Sequence, residues 1–247
     1  MLTQVIALNR CIVLFLTLYS SVLWAHGDHH THKITQSTLE EIGPVMHANA
    51  TVFAVLFTRH HASIHGYSCG GLSLQQAEHS FKVLKNLTQW DAFRINTTSA
   101  LEQVVLCQGL RAQDKTIGGV AIPDKKMLLL DSRSSDQDLR HLFWHELWHL
   151  LESTISHDFV SNWNAEFGGY LKIYKESSPN SIVIGSGGQG YINRYGQSFA
   201  KEERAEIFAW FMRDKESLTT FLKESHDSIL ARKIYRMKMT LESLELR

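Results

Sequence analysis

The sequence predicts an α+β fold, mostly helical, with a small β-sheet beside one central helix. Three observations carry this reading. Apolar residues between Leu139 and Leu151 recur at steps of three and four, the period of a helix packed on one side. Two short apolar runs, Val120-Ala121-Ile122 and Met127-Leu128-Leu129-Leu130, flank a turn over Pro123-Asp124-Lys125-Lys126, the pattern of paired strands. Elsewhere helix-start signals such as Ser73 with Gln76 and Ser99 with Glu102 mark further helices.

The first element is a leader. Arg10 precedes an apolar run from Cys11 to Trp24, and small Ala25 stands before the polar His26-Gly27-Asp28-His29-His30. A positive flank, a short apolar core and a small residue at the boundary are the parts of a secretory signal peptide over residues 1–25, and they predict a secreted or periplasmic protein. Removal leaves about 222 residues, enough for one sizeable core and too few for several domains. Lys plus Arg and Asp plus Glu both number 25, so there is no basic field for nucleic acid and no polybasic membrane signal. Cys69 and Cys107 remain as the cysteines of an exported chain. One disulfide between them would close a loop of about 38 residues and contribute about 3 to 4 kcal/mol.

Residues 26–36 read as a flexible terminus, with four histidines between His26 and His32 that form a compositional metal-binding signal. Residues 37–115 read as a helical lobe: a helix over 37–59, a second over 73–87 opened by Ser73 and Gln76 in a capping box, and a short one from Ser99 through Glu102 to Gly109. His60, His61 and His65 cluster there and read as surface residues. The strand pair over 116–131 follows, either plain core sheet or an exposed edge able to bind an extended chain by backbone hydrogen bonds. Ser135, with Asp138 three residues on, caps the central helix, which ends after Glu152. The segment from Ser177 to Gly190 is the least regular of the mature chain, and helices over 215–224 and 227–245 close it.

The central helix carries His145-Glu146-Leu147-Trp148-His149, an HExxH pattern. Residues four apart on a helix lie one above the other, so both imidazoles face one space and can share an ion. Two neutral imidazoles suit Zn2+, and Glu146, one step round, can reach a water beside it. His141 extends the stripe, but it lies about 12 Å from His149 at about 1.5 Å of rise per residue, too far for one tetrahedral ion, so it is assigned no ligand role. A catalytic ion held by two His needs a third protein ligand and an open position. Glu202 and Glu206, one turn apart on a helix downstream, are the candidates; whichever does not ligate would serve as acceptor for a ligand imidazole.

Around these glutamates the chain resembles the catalytic domain of anthrax lethal factor and its relatives among secreted gluzincin metallopeptidases. In that family HExxH is followed by Tyr-Gly, by a Glu seven residues after the Tyr, and then by Ala, a second Glu and Phe. Here stand Tyr195-Gly196, Glu202, Ala205-Glu206 and Phe208. The likeness runs from Thr116 to the C-terminal helix, about half of the mature chain. It implies a single zincin-like catalytic domain over 37–247, with the zinc site in 116–247 and one Zn2+ per chain. It further implies His145, His149 and Glu202 as ligands, Glu146 as general base, Tyr195 as hydrogen-bond donor to the transition state and Glu206 as supporting acceptor. Glu203 and Arg204 stand where relatives carry apolar or aromatic residues, and Trp148 where many carry Gly.

The expected activity is zinc-dependent hydrolysis of a protein or peptide substrate, with no nucleic-acid partner and no membrane partner once the leader is gone. The competing expectation is an exported zinc-binding protein without turnover, either a metal buffer drawing on the His-rich terminus or a degenerate peptidase used for partner binding.

Overall fold

The computed structural model describes residues 39–47, 50–89, 100–155, 157–172 and 182–245. The expected leader, the His-rich terminus and the first part of the 177–190 segment lie outside the described residues. What is described is mixed α+β, and its organising element is a curled sheet of eight strands.

The N-terminal part corrects the expected helical lobe. The stretch expected as a helix over 37–59 forms β1 (Glu40–His47) and β2 (Ala50–Phe57), paired antiparallel. The stretch expected as a short helix to Gly109 is β5 (Gln103–Ala112), the central strand. The physical reason is the same in both. A run such as Val52-Phe53-Ala54-Val55-Leu56-Phe57 or Val104-Val105-Leu106 is apolar on every side, as a strand covered on both faces must be, and such runs show no periodicity that separates helix from strand. Val104 to Cys107 are indeed fully buried. Their β-branched content and the Pro44 within β1 favour strands; proline is tolerated there because β1 pairs on one side alone.

Between β2 and β5 run a hairpin of β3 (Ala62–Ile64) and β4 (Tyr67–Gly70) and then α1 (Leu74–Lys85). The α1 N-terminus carries the expected capping box between Ser73 and Gln76. β6 (Lys115–Thr116) folds back on the far end of β5, on the edge opposite β4. The expected strand pair is present as β7 (Gly119–Ile122) and β8 (Met127–Asp131), antiparallel, with β8 parallel to β5. The sheet therefore crosses the expected division at residue 115, and the central helix rests on strands from both sides of it.

Alternation sorts the sheet's side chains to two covers. Val104, Leu106, Leu128 and Leu130 face a core shared with helices α1, α2 (Asp136–Glu152), α4 (Ala200–Arg213) and α6 (Ser228–Glu245). Val105, Cys107, Met127 and Leu129 face a smaller core under β3 and β4. Cys69 and Cys107 form the expected disulfide in that smaller core, joining β4 to β5. His60, His61 and His65 are exposed, as expected. Helices α3 (His157–Glu166) and α5 (Lys215–Ser225) complete the chain. No helix among the described residues is long and apolar enough to cross a membrane.

Trp148, Glu203 and Arg204 have defined partners. Trp148 is fully buried, its ring 5.1 Å from that of Phe208 on α4 and 6.1 Å from that of Phe159 on α3. Glu203, fully buried, pairs with buried Lys233 of α6 at 2.8 Å and accepts a hydrogen bond from Tyr170. Lys233 also donates to the carbonyl of Gly190 at 2.7 Å. Arg204 pairs with Glu152 at the end of α2 and donates to Asn164 of α3. Glu203 and Arg204 thus place compensated buried charge on α4, while Trp148 adds aromatic packing. Replacing Trp148 by Ala removes the contact common to α2, α3 and α4, and urea denaturation is expected to show a loss of about 3 to 5 kcal/mol; a loss below about 1 kcal/mol would mean that the aromatic cluster does not hold the helices together.

Candidate metal centre

Helix α2 sets the site. Ser135 accepts a hydrogen bond from Asp138 N–H at the helix start, and Asp136 and Asp138 add negative charge in the first turn. From Phe143 to Trp148 every residue of α2 is buried, because the helix lies between the sheet and α4. His145 and His149 follow one another on the side facing α4, and α4 brings Glu202 and Glu206 to them. The structure thus brings together four residues expected at the site.

His145 Nε2 lies 3.2 Å from His149 Nε2 and 3.2 Å from Glu202 Oε2, and His149 Nε2 lies 3.4 Å from the same carboxylate oxygen. A tetrahedral ion with bonds of about 2.0 to 2.1 Å requires neighbouring ligand atoms about 3.3 to 3.4 Å apart. The triangle drawn by the three side chains, with edges of 3.2, 3.2 and 3.4 Å, comes close to this spacing. The donor set of two imidazoles and one carboxylate, clustered and largely buried, could hold a metal ion.

Electrostatics agree with this. Burial pushes the Glu202 carboxyl up, but its hydrogen bonds to His145 and His149 outweigh that and hold it well below the usual carboxylate range. Burial likewise opposes charge on His145, while Glu202, Glu206 and Glu146 together raise it well above the usual imidazole range. The protonated imidazole is the counter-charge to buried carboxylates, and a divalent cation supplies the same service while releasing the proton.

Glu206 sits behind the triangle. Its Oε1 is 2.8 Å from His145 Nδ1, so the ring is held from the side opposite Glu202, with Nε2 directed at the ligand triangle. Its Oε2 is 3.0 Å from His141 Nε2. His141, fully buried, therefore reaches the site through Glu206, whose ligand-orienting position the sequence had left as one of two possibilities. His141, His145 and Glu206 also cluster closely enough for an ion, but their contacts of 3.0 and 2.8 Å are shorter than tetrahedral spacing and fit hydrogen bonds better.

Glu146 faces the other way, toward β7. Burial raises its carboxyl pKa, and the N–H of Ala121 donates to it. Gly119 leaves the space this requires: a Cβ there would lie 2.8 Å from Glu146 Cγ and 3.0 Å from its Oε1. Since the N–H of Asp131 bonds the carbonyl of Gly118, the alternation of the β7–β8 ladder turns the backbone groups of Gly119 and Ala121 to the open side. Among the described residues β7 pairs with β8 alone, so its other edge is open. That edge, Glu146, the ligand triangle and Tyr195 line one cleft of about 1100 Å³.

Tyr195 is half-buried, with its ring 5.7 Å from that of His145. A Cβ on the glycine that follows it, Gly196, would lie 3.2 Å from the Cα of Glu203, a tight approach between the turn and α4. Sequence reasoning missed Gly119, Ala121 and Asn193. The glycine pair 118–119 marked a break before a strand but not its closeness to Glu146, and no spacing distinguishes Asn193. Elemental analysis of the chain without residues 1–33 is expected to find near one bound divalent metal ion per chain and a strong loss in Glu202→Ala; undiminished metal in that variant would remove Glu202 from the site.

No family model, curated protein or solved structure matches this chain, and the chemistry of the site follows from its own geometry.

Proposed function

We propose that this protein is an exported zinc-dependent endopeptidase of the lethal factor-like gluzincin type, with a zincin-like fold. One observation supports this above the others: a triangle of His145 Nε2, His149 Nε2 and Glu202 Oε2 with edges close to those of a tetrahedral site lies in the same cleft as an open strand edge. The two-His, one-carboxylate donor set suits Zn2+, and the fourth position faces the cleft. When bound there, Zn2+ would supply Lewis-acid polarisation of a carbonyl and acidification of a water.

The chain's own residues supply the rest. An extended peptide adds to the open side of β7 through the backbone groups of Gly119 and the carbonyl of Ala121, which holds the scissile bond beside the triangle. Glu146, between that edge and the triangle, takes the proton of the attacking water on its carboxylate and later gives it to the departing amine nitrogen. Burial raises its proton affinity, as this double duty requires. Tyr195 donates to the carbonyl oxygen as it becomes an oxyanion, a contact of a kind worth about 3 to 4 kcal/mol in the transition state.

A buffer of several ions has no use for an intact Glu146 facing a strand edge, so the cleft favours turnover over storage. Glu146→Gln is expected to keep its zinc and to lose peptide cleavage by at least about 100-fold, measured on a peptide library; retained turnover would exclude Glu146 as the base. Gly119→Ala is expected to retain zinc while kcat falls, because the new methyl group occupies the space of the Glu146 side chain; unchanged kcat would show that Glu146 acts from another position.

A further inference from the structure

Glu206 holds His145, and something must in turn hold Glu206. The carboxylate is buried, and a buried acceptor left free to rotate would fix no imidazole. One of its holders is His141. The other is Asn193, which is fully buried on the turn that leads to Tyr195 and whose Nδ2 donates to Glu206 Oε2.

The orientation of this amide is set by its other end. Gly196 N–H donates to Asn193 Oδ1 at 2.8 Å, which requires the oxygen on that side and leaves Nδ2 facing the carboxylate. Nδ2 spends a second hydrogen on the carbonyl of Ile182, at 3.3 Å. The backbone carbonyl of Asn193 accepts from Gln197 N–H, closing the turn that presents Tyr195. A single side chain thus touches the carboxylate that aims a metal ligand and the backbone that carries the proposed oxyanion donor.

We propose that Asn193 is a positioning residue for the metal centre, fixing the Glu206 carboxylate against His145 and, through Gly196, the turn that bears Tyr195. The proposal rests on the metal reading of the triangle. It touches neither metal nor substrate, and it acts through Glu206 and Gly196.

Asn193→Asp is the informative variant. It preserves shape and the acceptor for Gly196, but it places a carboxylate oxygen against Glu206 Oε2, where the protein needs a donor. Glu206→Gln alone removes the charge that holds His145. Together, Asn193→Asp with Glu206→Gln restores an acceptor facing a donor, with the partners exchanged. The measurement is the zinc dissociation constant of the full mature chain by chelator competition, with thermal unfolding of the metal-free protein recorded for each variant.

Each single variant is expected to weaken zinc binding by about 10- to 100-fold, and the pair to recover most of that loss. Equal affinity in wild type and Asn193→Asp, or a pair no better than its worse member, would overturn the proposal. A wild type with no tight zinc would overturn the metal reading itself, and this proposal with it. The Gly196 arm has its own readout at saturating zinc. If Asn193 sets Tyr195, Tyr195→Phe costs less kcat in an Asn193→Ala background than in wild type; equal costs would remove that arm.

Discussion

The structure depends on the burial of three carboxylates, Glu146, Glu202 and Glu206, beside three imidazoles where α2 meets α4 and the sheet. Charge at this depth is tolerated only when it is compensated, and compensation here comes from elements far apart in the chain. Glu202 and Glu206 are separated from their histidines by 57 and 65 residues. The helices cannot slide or rotate against each other without stranding a charge. Fixed register between α2 and α4 is what keeps His145 Nε2, His149 Nε2 and Glu202 Oε2 within 3.2 to 3.4 Å of one another, where they could hold an ion.

The other polar features of α4 follow the same logic. Glu203 and Arg204, charged residues buried within α4, each meet a partner on a neighbouring helix. Burial and the Glu203 charge push the Tyr170 hydroxyl pKa far up, so that phenol remains a donor to the carboxylate at any working pH. Replacing such pairs with apolar side chains can leave stability unchanged, so their consequence lies in specificity of packing. They tie the turn around Gly190, through Lys233, to the helix that carries Glu202. The turn bearing Tyr195 begins a few residues later.

How much of this was legible in the sequence follows from where the information resides. The HExxH helix, its Ser135 cap, the strand pair over 119–131 and the two C-terminal helices are written in local spacing, and local spacing predicted them; the Cys69–Cys107 disulfide followed from there being two cysteines beyond residue 25. Glu202 and Glu206 emerged as candidates because two residues one turn apart can share a task. The first half was misread because a strand buried on both faces carries no alternation, and Val104-Val105-Leu106 looks the same from a helix or from the middle of a sheet. The roles of Gly119 and Asn193 were invisible for a different reason. Each is defined by one long-range contact, with Glu146 and Glu206 respectively, and a single contact between distant residues leaves no period or motif in one sequence.

The assignment of His145, His149 and Glu202 as the ligands of one zinc ion is most directly tested by X-ray absorption at the zinc edge, on the loaded mature protein and on His149→Ala. The account predicts a shell of nitrogen and oxygen atoms at about 2.0 to 2.1 Å containing two imidazoles, reduced to one imidazole in the variant. A shell with the same number of imidazoles in both proteins would place the zinc elsewhere, and would contradict the account.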